Sequence, residues 1–195
     1  MKTVSLCVAA CLCASPLLAD CPDVRQDDTQ PPLVMTRTDP FFEVTLTRQA
    51  DGTLQEARQM DGGLDTVTSY AADIWPMDRT DDNGMLSLRY AGDPAALDLT
   101  AVGATLTLPV RLLVGGRAQV AEGSETKIVH DTTQISVGDC SYDVMVIRNR
   151  LEMDGMRTGH SYSFYSPLLG VILGNVVTDA NYDPVRGVLF DTLSY

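Results

Sequence analysis

Positive charge is scarce in this sequence: 14 lysine and arginine residues stand against 26 aspartates and glutamates, giving a formal net charge of -12. Proteins that bind nucleic acids need a basic face to neutralise phosphates, so the composition argues against a nucleic-acid partner. Binding to an anionic membrane surface is disfavoured for the same reason. The length of 195 residues and the 45% hydrophobic content are otherwise typical of one globular domain.

Long hydrophobic runs are absent beyond the N-terminus. Lys2 precedes a mostly apolar stretch, Val4–Leu18, and a tolerable signal-peptidase site follows it. A membrane span needs about 20 apolar residues, so this stretch is too short to cross, and we expect no integral span after cleavage. Residues 1–19 are therefore interpreted as a signal peptide, which predicts a periplasmic or secreted protein. A lipid anchor is the alternative, although acidic Asp20 directly before Cys21 does not suit lipoprotein processing.

Cysteine is rare in the predicted mature chain. Three of the five cysteines lie in the signal peptide, which leaves only Cys21 and Cys140. Two thiols in an oxidising compartment usually pair, so we predict a structural disulfide between them. A redox or metal-binding pair would call for a C-x-x-C spacing or a histidine cluster, and the sequence has neither. We expect no metal and no cofactor.

Strand patterns dominate what is present. Phe42, Val44 and Leu46 alternate with polar residues, as in a half-buried strand, and Asp51-Gly52 supplies a tight turn. The same pattern recurs about nine or ten times, which predicts an all-β fold with at most one or two short helices. We expect a single antiparallel sheet-rich domain, shaped as a curved half-barrel or a sandwich. The predicted strands cover residues 42–47, 53–60, 64–75, 85–90, 106–114, 128–137, 140–151, 160–166, 171–177 and 188–194.

The segments outside these strands are also assigned. Residues 20–40 are polar and rich in proline, so they are predicted to be an extended leader that the disulfide tethers. Residues 41–195 then form the antiparallel domain. Asp93-Pro94 matches an N-cap followed by proline at the first helical position, so a short helix is expected at 93–100.

A run of acidic residues at Asp78–Gly84 is the best candidate for calcium binding. An EF-hand loop needs glycine at its sixth position and glutamate at its twelfth, where this sequence has Asn83 and Arg89. Aspartate also favours turns because its side chain bonds to nearby backbone N–H groups. The run is therefore interpreted as a turn.

A serine hydrolase would need His130 or His160 as its base, since these are the two histidines of the chain. The Gly159–Ser163 segment has serine where the second glycine of a nucleophile elbow belongs. His130 and Asp131 are neighbours in a predicted strand, so they point to opposite faces. We expect no catalytic residues and no enzyme, with a secreted hydrolase kept as an alternative.

One hairpin is more specific. Its second strand ends in Tyr165-Ser166-Pro167-Leu168-Leu169-Gly170, which resembles a Tyr-x-Pro-x-Leu-Gly corner in uncharacterised β-rich periplasmic proteins of Gram-negative bacteria. The resemblance covers residues 127–175 and implies a curved antiparallel sheet, with no established activity and no catalytic residues. Independently of it, Pro167 removes a donor from the strand ladder and Gly170 permits a bend.

These observations predict an exported binding or structural protein of the cell envelope, without catalysis. Its partner would be another envelope protein or an apolar ligand, which the sequence does not name. An alternative is a carrier of a lipid or acyl chain, because a curved sheet can leave an open concave face. The apolar stretch Pro167–Val177 would then form part of the cradle.

Overall fold

A computed structural model describes residues 21–61, 63, 65–116 and 118–195. The predicted signal peptide, residues 1–19, lies outside the described residues. The chain is all-β, as predicted, and its helical content in the described part is one 3-10 turn at Pro94–Ala96. The strands are β1 (Leu33–Arg37), β2 (Phe42–Arg48), β3 (Leu54–Met60), β4 (Thr66–Ala71), β5 (Trp75–Asp81), β6 (Gly84–Tyr90), β7 (Thr105–Val114), β8 (Ala118–Val137), β9 (Cys140–Met153), β10 (Gly159–Ser166), β11 (Val171–Thr178), β12 (Pro184–Val188) and β13 (Thr192–Ser194).

All strands belong to one 13-stranded antiparallel sheet. Strands β1 to β12 pair in chain order, and β13 returns to pair with β1. The hydrogen-bond ladder is not closed, because β12 and β13 are the two edge strands of the sheet order and do not pair with each other. One face of the sheet curves onto itself, because Leu54 of β3, Val144 of β9 and Leu173 of β11 share a buried cluster.

The antiparallel order sorts the connections into two ends. The leader end carries residues 21–32 and the connections that follow the even-numbered strands β2 to β10. The far end carries the connections that follow the odd-numbered strands β1 to β11. The large core cluster around Leu33, Leu54 and Leu173 fills the concave side towards the leader end, and a second cluster forms around Trp75 and Ile147.

Several predicted boundaries are wrong. The predicted strand 64–75 is divided, because β4 ends at Ala71 and β5 begins at Trp75. Ala72 and Asp73 make this turn with φ of 44° and 68°, a conformation that is uncommon for residues other than glycine. The predicted turn at Asp78–Gly84 begins too early, since β5 continues to Asp81 and only then turns into β6.

The remaining differences extend the sheet. β8 begins at Ala118, well before the predicted start at Ile128, because the polar segment between them also pairs in the ladder. β1 lies inside the stretch predicted as leader. The predicted last strand, residues 188–194, is resolved into the end of β12 and all of β13. The expected helix at 93–100 is reduced to the 3-10 turn, with Asp93 accepting a hydrogen bond from the Ala95 backbone N–H at 2.9 Å.

Candidate functional site

The leader end is held by the predicted disulfide. Cys21 and Cys140 are bonded, with their Cα atoms 5.6 Å apart. The leader then crosses this end of the sheet, where the Gln26 backbone N–H donates to the Leu169 carbonyl oxygen at 2.9 Å. The Gln26 side chain is buried and donates to the Pro31 carbonyl oxygen. The leader therefore covers this end as an ordered part of the structure.

A buried carboxylate lies beneath the leader. Asp73 is 6% exposed, and its two oxygens accept hydrogen bonds from Arg25 Nη2 and Arg48 Nη1, each at 2.6 Å. The Tyr165 hydroxyl donates to the same carboxylate at 2.9 Å. Burial, with the nearby Asp73 charge, raises the pKa of Tyr165 to about 12. A buried charge is tolerated when it is paired and hydrogen-bonded, so this cluster stabilises the turn between β4 and β5.

The corner residues named from the sequence lie next to this cluster. β10 ends at Ser166, and Pro167 starts the connection to β11. Gly170 has φ of +70°, and its carbonyl oxygen accepts a hydrogen bond from Arg48 Nη2 at 3.1 Å. Tyr165 and Gly170 thus both hydrogen-bond to this cluster, Tyr165 through its hydroxyl to Asp73 and Gly170 through its carbonyl oxygen to Arg48.

A chain of polar side chains crosses the concave face between the two ends. Lys127 and Glu125 are 3% and 4% exposed and form an ion pair. Lys127 Nζ also donates to Asn149 Oδ1 at 2.9 Å and lies 4.8 Å from the centre of the Trp75 ring. The Tyr90 hydroxyl donates to Glu125, and burial together with that charge raises the pKa of Tyr90.

This row of hydrogen-bonded side chains, the polar chain, continues towards β11. Asn149 Nδ2 donates to Ser163 Oγ at 2.9 Å, and Ser163 Oγ donates to Asn175 Oδ1 at 2.7 Å. Each hydroxyl and amide is therefore occupied by a neighbour. The two hydrogen bonds of Ser163 Oγ are therefore to amide side chains.

Beyond this polar chain, an apolar cavity of about 350 Å³ opens at the far end. Its wall is mainly aliphatic, and one side is polar because Arg58 and Tyr70 border it. Arg58 Nε pairs with Glu56 Oε1, and the Tyr70 hydroxyl donates to the same oxygen at 3.2 Å. The aliphatic lining comes from strands β5, β6, β7 and β9, namely Met77, Leu86, Leu88, Leu112 and Leu151.

The two histidines lie in different surroundings. Among the described residues, His160 Nδ1 has no hydrogen-bond partner. His130 lies beside the Tyr162 ring, with ring centres 6.4 Å apart. The described part of the chain also contains no group of three or more His, Cys, Asp or Glu side chains that could hold a metal ion. No helix in the described part has the length and apolar character that a membrane crossing requires.

Comparisons with family models, curated proteins and solved structures find no match for this chain. A function for this protein must therefore be inferred from the geometry of its own residues.

Sequence reasoning missed both the polar chain and the apolar cavity. The available signal was the alternation of Glu125 and Lys127 around Thr126, which places two opposite charges on one face of a strand. Polar alternation is ordinarily attributed to a solvated face, and burial of this pair depends on the sheet curving over it. The aliphatic residues of the cavity come from four strands, so their convergence follows from strand order.

Proposed function

We propose that this protein is an exported, non-catalytic binding protein of the cell envelope that holds an aliphatic chain in the apolar cavity. The observation that carries the proposal is the cavity itself: an opening of about 350 Å³ where four leucines and one methionine converge, with Thr68, Asp78 and Arg79 among its polar lining residues. Ligand sites are typically concave, largely apolar and at least about 300 Å³ in volume, with a few polar groups that orient the ligand.

The distribution of packing supports this location. Towards the leader end the concave face is filled by buried side chains such as Leu33, Met35 and Leu169. Towards the far end, Leu86 is 44% exposed although it lines the cavity. Burying such aliphatic surface against a ligand chain is favourable by about 25 cal/mol per Å².

The polar side of the cavity supports a ligand with one hydrophilic end. Arg58 lines the cavity, and its ion pair with Glu56 uses its Nε among its five N–H donors. A hydroxyl or carboxylate at the end of an aliphatic chain can accept from such donors.

Export is supported by two features. Disulfides persist in oxidising compartments such as the periplasm and the extracellular space, and Cys21 and Cys140 form one here. The N-terminal residues 1–19 have the composition of a signal peptide.

Isothermal titration with decanol tests the proposal. The wild-type protein should bind decanol saturably, and Leu112→Trp, which fills the cavity, should weaken binding by about tenfold or more. Val120→Trp is the control, because Val120 is exposed on the neighbouring strand and does not line the cavity. Thermal melting of each variant verifies that it is folded. Absence of saturable binding, or equal affinity in the Leu112→Trp variant, would contradict the proposal.

A further inference from the structure

A second and larger cavity lies at the far end, between β10, β11 and β12. It has a volume of about 630 Å³, and Arg157 and Arg186 both line it, so we call it the arginine cavity. No residue lines both this cavity and the apolar cavity. The two are therefore separate candidate sites, and each can fail without the other.

Two buried polar atoms border the arginine cavity without a hydrogen-bond partner among the described residues. They are Thr178 Oγ1 and His160 Nδ1. Thr178 is 6% exposed, and it pairs directly with His160 across the β10–β11 ladder. Buried side-chain polar atoms are nearly always hydrogen-bonded, so these two atoms are exceptions, and both belong to residues that line the cavity.

The charge of the cavity is opposite to that of the protein. Within the described part of the chain, neither Arg157 nor Arg186 has a carboxylate oxygen within ion-pair distance. The carboxylate that lines the cavity is Asp179, and its Oδ1 already accepts from the backbone N–H groups of Asn181 and Asp183. Two arginines and one carboxylate thus line this cavity, in a chain of net charge -12.

The neighbouring outer surface adds a third unpaired arginine. Arg148 lies 4.9 Å from the centre of the Tyr182 ring and 5.7 Å from that of Tyr162. Tyr182 in turn contacts His160 edge-on, with ring centres 5.2 Å apart. Stacking on aromatic rings fixes a guanidinium group while leaving its N–H edges available. The positive region therefore extends from the arginine cavity onto this surface.

From this arrangement we infer that the arginine cavity binds a small organic anion through its phosphate or carboxylate group. Guanidinium groups donate two parallel hydrogen bonds to such oxyanions, and these charge-assisted bonds are the strong ones. The Thr178 hydroxyl can donate to a further oxygen of the same group. Val177 and Val185 also line the cavity and are 40% and 67% exposed, which provides an apolar wall for the organic part.

Isothermal titration with phenyl phosphate, benzoate and benzyl alcohol tests this inference on the full-length exported protein. At least one of the two anions should bind saturably, and benzyl alcohol, which has the ring without the charge, should not. A preference between phenyl phosphate and benzoate identifies which oxyanion the cavity favours. Saturable binding of benzyl alcohol as tight as that of the anions, or of no probe at all, would overturn the inference.

Two variants and a matched control locate the site. Arg186→Gln should weaken anion binding by about tenfold or more, and Thr178→Val should weaken it without changing the net charge. Arg111→Gln is the control, since Arg111 is an exposed arginine on β7 that pairs with Glu122 at 3.4 Å. It should leave the affinity unchanged. Equal weakening by Arg186→Gln and Arg111→Gln, or unchanged affinity in Thr178→Val with a normal melting temperature, would contradict the assignment.

Discussion

The two ends of the sheet treat their polar groups differently. At the leader end, Asp73 is surrounded by Arg25, Arg48 and Tyr165, so the charges and hydroxyl are matched by the protein itself. At the far end, Arg157 and Arg186 line a cavity, and within the described part of the chain neither has a carboxylate oxygen within ion-pair distance. The leader end therefore pairs its buried charge within the protein, whereas the far end leaves two arginines that the proposed anion could use.

The largest effect should come from the disulfide at the leader end. Replacing Cys21 and Cys140 by serine removes a link across 119 residues. We expect a loss of about 4 kcal/mol in the free energy of unfolding, because the unlinked unfolded chain gains conformational freedom. Urea unfolding measures it, and reduction of the wild-type protein should give the same shift. An unchanged unfolding midpoint would mean that the link does not anchor this end.

The next largest effect should follow from Asp73→Ala. Arg48 has a side chain only 9% exposed, so it would be left as an unpaired buried charge. Breaking a buried pair in this way costs about 3 kcal/mol or more. Glu152→Ala is the matched control, because Glu152 and its partner Arg150 have side chains 42% and 50% exposed, so their pair is expected to contribute about 1 kcal/mol or less. Chemical denaturation should separate the two variants, and similar losses would contradict the account.

A pair of glycines tests the same difference between the two ends, with smaller expected losses of stability. Gly170 and Gly155 have nearly the same φ, +70° and +72°, and lie at opposite ends. A Cβ atom on Gly170 would lie 2.9 Å from Arg25 Cζ, whereas one on Gly155 would meet nothing within 4 Å. Both alanine variants should lose about 1 kcal/mol from backbone strain.

Gly170→Ala should lose about a further 1 kcal/mol, because Arg25 must move away from Asp73. Melting temperatures of the two variants measure the difference. Equal destabilisation would show that the close approach of Arg25 contributes little.

The smallest change in stability is expected at the far end. Thr178→Val removes an unpaired buried hydroxyl, so the free energy of unfolding should stay the same or rise by up to about 1 kcal/mol. Thermal unfolding measures this. A clear loss of stability would show that the hydroxyl is used within the protein and is not available to the proposed anion.

Much of the fold followed from short-range patterns. Asp51-Gly52 and the alternation at Phe42–Leu46 predicted the β2–β3 hairpin, and the two cysteines that follow the predicted signal peptide predicted the disulfide. The turn at Ala72 and Asp73 was missed, since alanine rarely adopts a positive φ and no glycine stands at this turn. Its conformation is supported by Arg25 and Arg48, which are distant in sequence.

The candidate sites were beyond the reach of these patterns. The place of Leu88, Leu112 and Leu151 around an opening depends on how far the curved sheet is filled. Nothing local in the sequence indicates that Arg157 and Arg186 line one cavity. Long-range geometry determines both sites.

Methyl-group NMR of the full protein during a decanol titration tests directly whether the apolar cavity binds an aliphatic chain. The account predicts saturable shifts for the methyl groups of Leu88, Leu112 and Leu151 around the apolar cavity, and none for Leu33 and Leu169 in the filled core at the leader end. Shifts confined to the leader end, or no saturable shift at any methyl group, would contradict it.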